Sequence, residues 1–142
     1  MVIQRLQNLC LLLALIVMIL FLFIPFGYLE ADGTLTALKA AQMPGLLIAS
    51  IATMVLLVVS IMMFRQLTPQ RRMVALSMIA TCAEIATVII LLVSGVATEI
   101  ENARTVWGGG GLMLIAALIA EAVAYRAIGR DRKLLSSYDR LR

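Results

Sequence analysis

Apolar residues run almost unbroken through four stretches of the chain, at about residues 9–26, 44–64, 73–97 and 106–125. A helix needs ~20 apolar residues to cross about 30 Å of hydrocarbon, and all four runs meet or approach that length. The pattern predicts an all-α protein, a bundle of four transmembrane helices with short loops. The polar breaks have local causes. Pro25 and Gly27 close the first run, and Pro44 opens the second at a helix position where its missing N–H is harmless. Thr68-Pro69 predicts an N-cap followed by proline at the first helical position of the third. Glu99, Glu101, Asn102 and Arg104 predict a polar loop before the fourth. The organisation expected is a membrane domain over residues 1–125 and a basic, amphipathic tail over 126–142.

Composition agrees with the pattern. The chain has 142 residues, 63% of them hydrophobic, and a mean hydropathy of +1.04. A soluble domain is about 45–50% apolar and has too little interior to hide so much more. The first run is preceded by Arg5 but is 18 residues long. A cleaved signal has an apolar core of about 7–15 residues and an Ala-x-Ala site, so an uncleaved anchor is expected.

Charge sets a direction. Of the 12 Lys and Arg, Arg5, Arg65, Arg71, Arg72 and the six after residue 125 fall on one side of the spans. Only Lys39 and Arg104 fall on the other. Basic loops stay in the cytoplasm, so both termini are expected there. Tyr28 and Trp107 would then anchor the outer interface and Tyr125 the inner one. The net charge of +4 does not suggest nucleic acid, because the basic residues sit between apolar runs rather than along a folded surface.

Candidate chemistry is sparse. Histidine is absent, and Cys10 and Cys82 both lie in apolar runs, where they are expected to pack as small hydrophobes. Histidine-ligated haem and the common zinc sites are excluded by inventory. Trp107–Gly111 lacks the Gly-Lys-Ser/Thr ending of a phosphate loop. It predicts a loose first helical turn, with a close backbone approach as the alternative. No nucleophile–base pair is visible, so neither enzyme activity nor a cofactor is expected.

Within the spans, small and hydroxylated residues mark packing faces. The third carries Ser77, Thr81, Glu84 and Thr87 (or Val88) at three- and four-residue steps, and the second carries Ser50, Thr53 and Ser60. The fourth has Ala116, Ala120 and Ala124, a ridge that allows close backbone approach. The first is uniformly bulky and is expected to face lipid, leaving spans two to four as the packed centre.

Glu84 is the sharpest residue. It lies 11 residues, or about 17 Å, into the third span. A mid-bilayer charge costs roughly 2.5–3.5 kcal/mol, against roughly 3–7 kcal/mol returned by the Leu, Ile and Val of the same span. The helix therefore inserts with Glu84 turned inward, either protonated and bonded to Thr53 or Ser50, or ionised beside a partner. The candidate intramembrane polar site is Glu84 with Ser50, Thr53, Thr81 and Thr87. Glu121, near the basic end of span four, is expected to form an interfacial ion pair with Arg126.

The two ends carry a resemblance. Ile3-Gln4-Arg5-Leu6-Gln7, Arg126-Ala127-Ile128 and Ser137-Tyr138-Asp139-Arg140-Leu141-Arg142 are similar to the ends of small four-span inner-membrane proteins of Bacteroidota. That family is known only as a domain of unknown function. Val2 is an extra residue, Tyr125 stands where the family has Asn, and Arg132-Lys133 replaces a more acidic stretch. The resemblance implies a multi-pass protein of the bacterial cytoplasmic membrane and no assigned activity.

Because the spans are generic and the ends specific, the expected function is a non-enzymatic accessory or scaffold subunit. It would dock a membrane-protein partner, or further copies of itself, through Gln4, Arg5, Gln7, Tyr138, Asp139, Arg140, Leu141 and Arg142. Leu134, Leu135, Tyr138 and Leu141 predict a short amphipathic helix lying on anionic headgroups or packing on residues 3–7. The alternative is a small proton- or cation-coupled transporter built on Glu84. Reporter fusions test the orientation. Green fluorescent protein is expected to fluoresce at either terminus, and alkaline phosphatase to be active only in the loops near Lys39 and Arg104.

Overall fold

A computed structural model describes residues 2–94 and 104–140. Four helices dominate it: α1 (Val2–Phe23), α2 (Pro44–Met62), α3 (Leu67–Ser94) and α4 (Gly110–Asp139). Each is long and apolar enough to cross a membrane. Consecutive helices pack as neighbours, and α1 closes the ring by packing along α4 more extensively than any other pair.

The seam of each helix is set by its small and polar residues. Buried positions follow alternating four- and three-residue steps: Gln7, Leu11, Ala14, Met18 and Phe21 on α1, and Leu46, Ser50, Thr53, Leu57 and Ser60 on α2. On α3 the seam is Gln70, Val74, Ser77, Thr81, Glu84 and Val88; on α4 it is Gly110, Leu114, Ala117, Glu121, Ala124, Ile128 and Asp131. A seven-residue repeat of this kind gives the narrow contact line of coiled-coil packing. The remaining face of every helix is apolar and exposed, as at Leu13, Ile48, Ile79 and Ile119. Such a bundle needs hydrocarbon around it.

Several expectations change. α1 is a full member of the bundle, with only its outer face, including Leu9, Leu13 and Phe23, left exposed. The ridge of α4 is Ala117, Ala120, Ala124 and Ala127, and Ala116 is exposed. The four-residue spacing read from the sequence drifts off a seam that advances by three and a half. Cys10 is partly buried, whereas Cys82 faces outward. α3 opens at Leu67, with Pro69 inside its first turn, and Gln70 N–H bonds Gln66 O at 3.0 Å. α4 continues unbroken to Asp139, so residues 126–139 extend the fourth helix rather than form an element of their own.

The connections remote from the basic residues are not plain loops. β1 (Gly27–Ala31) and β2 (Thr34–Leu38) form a hairpin, and β3 (Arg104–Trp107) pairs antiparallel with the other edge of β1, giving the order β2-β1-β3. Asp32 and Gly33 both have positive φ, 48° and 76°, as a tight two-residue hairpin turn requires. A short 3₁₀ turn, Ala40–Gln42, leads into α2. Of the polar loop expected before span four, only Arg104 lies in the described residues, and it begins β3.

The sheet is clamped to the helices through glycines. Gly108 N–H bonds Phe26 O at 2.8 Å, and Gly110 N–H bonds Pro25 O at 2.9 Å. A Cβ on Gly110 would lie 2.7 Å from Ile24 O, whereas one on Gly109 or Gly111 would meet nothing within 4 Å. The close-approach reading of Trp107–Gly111 therefore holds, at alternate glycines. Gly110→Ala is expected to destabilise the detergent-solubilised protein by about 1–3 kcal/mol, as overpacking against backbone does. Gly109→Ala and Gly111→Ala should be neutral or slightly stabilising in the same thermal melts.

Candidate functional site

The repeat places polar side chains of three helices at adjoining levels of the interior. Ser50 and Thr53 stand one turn apart on α2 and meet Glu84 of α3. Ser50 Oγ donates to Glu84 Oε2 at 2.9 Å, and Thr53 Oγ1 lies 2.5 Å from Glu84 Oε1. One turn along α3, Thr81 Oγ1 is 3.2 Å from both carboxyl oxygens of Glu121 on α4. Glu84 is 2% exposed and Glu121 not at all. α3 is thus the hub, bonded to α2 through one acid and to α4 through the other.

Hydroxyl inventory constrains the protons. Thr53 Oγ1 also lies 3.1 Å from Ala49 O, and Thr81 Oγ1 3.0 Å from Ser77 O. Each hydroxyl has one proton to give. When the threonine spends it on the backbone carbonyl, the carboxyl must donate to the threonine. The count closes in full when each carboxyl carries a proton. Ser50 then supplies the remaining bond to Glu84.

A second polar layer lies nearer the basic end. Gln7 Nε2 donates to Asp131, joining α1 to α4. Gln70 Nε2 lies 3.4 Å from Asn8 Oδ1, linking α3 to α1. At the surface of this end the Arg71 guanidinium sits 4.4 Å from the Tyr125 ring centroid.

Of the residues singled out from sequence, the structure brings together Glu84, Ser50 and Thr53, with Thr81 one turn away on a separate acid. Thr87 is not part of the site. It is exposed and bonds Ala83 O of its own helix at 2.8 Å; Val88 takes the inward position. Glu121 is not an interfacial ion-pair member but a buried hydrogen-bond partner of Thr81. Gln7 is 1% exposed and engaged within the bundle, so it offers no docking surface. Tyr138, Asp139 and Arg140 are exposed. The side chains of Gln4 and Arg5, and all of Leu141 and Arg142, lie outside the described residues. Glu121 and Asp131 were missed as interior partners. Their signal was the run Leu114, Ala117, Glu121, Ala124, Ile128, Asp131, which keeps the seam's stepping through both acids.

Among the described residues, no three of His, Cys, Asp and Glu gather as a metal site. A family model described as a domain of unknown function, DUF4293, matches residues 3–141. No curated protein matches the chain.

Thr53→Val should destabilise the bundle by about 1–3 kcal/mol, the cost of stranding a buried polar partner. A double-mutant cycle with Glu84→Gln should return a coupling of roughly 0.6–1.7 kcal/mol, as for interhelical bonds in other membrane bundles. Thr87→Val should leave unfolding in mixed micelles unchanged.

Proposed function

We propose a function for this chain from one premise: it belongs to the family of domains of unknown function DUF4293. The reading is a non-enzymatic accessory subunit of the bacterial inner membrane that docks a membrane-protein partner through the end of α4. Both termini are cytoplasmic in this reading. Its support is the separation of the basic end of the bundle from the sheet end, where Lys39 and Arg104 lie.

The observation that carries the docking role is the exposed end of α4. At 30 residues it runs about 45 Å, against about 42 Å for the 28 residues of α3 and about 28 Å for the 19 of α2. Residues 132–140 are all exposed, and among them Leu134, Leu135 and Tyr138 are more than half exposed. An apolar stripe on a helix that continues past its own bundle suits a groove on a partner. The interior acids, each held by a threonine of a neighbouring helix, act in this reading as bonds between helices.

In-cell photocrosslinking from Leu135 or Tyr138 is expected to give one reproducible protein adduct. Truncation after Lys133 should abolish co-purification of that protein while the remaining bundle still inserts and stays monodisperse. The reading fails if adducts form only with lipid. It is replaced by the carrier alternative if the lone chain moves protons in liposomes and Glu84→Gln stops it.

A further inference from the structure

We propose that the groove between α3 and α4 at the basic end is a site for the phosphate of an anionic phospholipid, with Arg71 as its fixed donor. The groove encloses about 920 Å³. It is built around a guanidinium that has been immobilised. Arg71 lies over the face of Tyr125 at 4.4 Å, a stacking that favours arginine in particular. Gly129, one turn along α4 from Tyr125, also lies beside it: a Cβ there would be in ordinary contact with Arg71 Cζ, at 3.6 Å. A Cβ alone would fit, but a larger side chain at that turn would crowd the cation.

The settled cation is incompletely bonded. Arg71 Nε is buried and, among the described residues, has no hydrogen-bond partner. Burying that N–H holds the guanidinium in place, and the part of Arg71 left accessible presents its remaining N–H groups to the groove, where a phosphate is their best geometric match. The other walls raise the demand for an anion. Arg126, Arg130, Arg132 and Lys133 line the same groove, and among the described residues no acid does. The adjacent carboxylate, Asp131, is turned into the bundle, where Gln7 donates to it. Four cations on neighbouring turns repel one another until a shared counter-charge is present.

The apolar surface next to the groove selects lipid over a free phosphate. The stripe Ile115, Ile119, Ala122, Arg126, Gly129, Lys133 continues at four- and three-residue steps along one face of α4. Its basic half lines the groove, and in its apolar half Ile115 and Ile119 are 47% and 60% exposed. A headgroup in the groove would send its acyl chains along those isoleucines. A soluble phosphate would gain nothing from them. The site shares Arg132, Lys133 and Ser136 with the exposed end of α4, but its argument does not rest on the docking role proposed above.

The test uses the full-length chain, stripped of lipid in a neutral detergent and titrated with phosphatidylglycerol or phosphatidylcholine by native mass spectrometry. Phosphatidylglycerol is expected to bind the wild type in preference. Arg71→Gln combined with Arg130→Gln should weaken it on the order of tenfold or more. Arg65→Gln combined with Arg140→Gln removes equal charge outside the groove and should leave binding unchanged. Gly129→Leu keeps every charge, fills the cradle and should weaken binding like the first pair. Equal losses from both double variants would reduce the site to diffuse attraction and overturn the proposal. Displacement of the lipid by an equal concentration of glycerol 3-phosphate would overturn the choice of lipid.

Discussion

Glu84 can occupy the middle of α3 only because Ser50 and Thr53 reach it from α2. In hydrocarbon there is no water to take over an unmet hydrogen bond, so a polar side chain must be satisfied by another helix. That constraint fixes which faces meet. Once Glu84 points at α2, the seven-residue repeat carries Thr81 toward Glu121 on α4 and Ser77 into the core. It also turns the apolar majority of every helix outward. The result differs from a soluble bundle mainly on the outside: hydroxyls and acids share the interior with Leu11, Leu57 and Leu114, while leucine and isoleucine also cover the outer face.

The helix pairs solve the packing problem differently. α2–α3 and α3–α4 are joined through the two acids, whereas α1–α4 combines large and small residues on facing seams. α1 contributes Leu11, Met18 and Phe21, and α4 contributes Ala117, Ala120, Ala124 and Ala127. Bulk on one helix fits space on the other, so tight packing follows without a central polar bond. The Gln7–Asp131 contact then pins this pair at the basic end, and Pro25 with Gly110 pins it at the other.

The spans were legible because length and hydropathy decide them. Pro44 and Pro25 marked real ends, and the Ser50–Thr53–Glu84 cluster followed from spacing alone. Three things escaped. The hairpin was announced by Ala31-Asp32-Gly33-Thr34 between alternating residues, but short strands are easily read as loop when membrane spans dominate the chain. The ridge of α4 was placed at Ala116 because strict four-residue spacing drifts around a helix, while the actual seam steps by four and three. Glu121 was assigned to the interface because the apolar run ends at Tyr125. The helix itself runs on for 14 further residues, which no hydropathy boundary reveals.

The three-stranded sheet also imposes an order on synthesis. The first helical hairpin emerges from the ribosome carrying β1 and β2, already contiguous and able to zip at the Asp32-Gly33 turn. Its second edge stays bare until residues 104–107 have been made and brought beside it. Only then can β3 close it, with Gly108 and Gly110 docking behind on Phe26 and Pro25. The fourth helix is therefore seated last, and its arrival is registered at the sheet. A nascent chain halted before Trp107 leaves that edge of β1 open, whereas in the finished one it is paired.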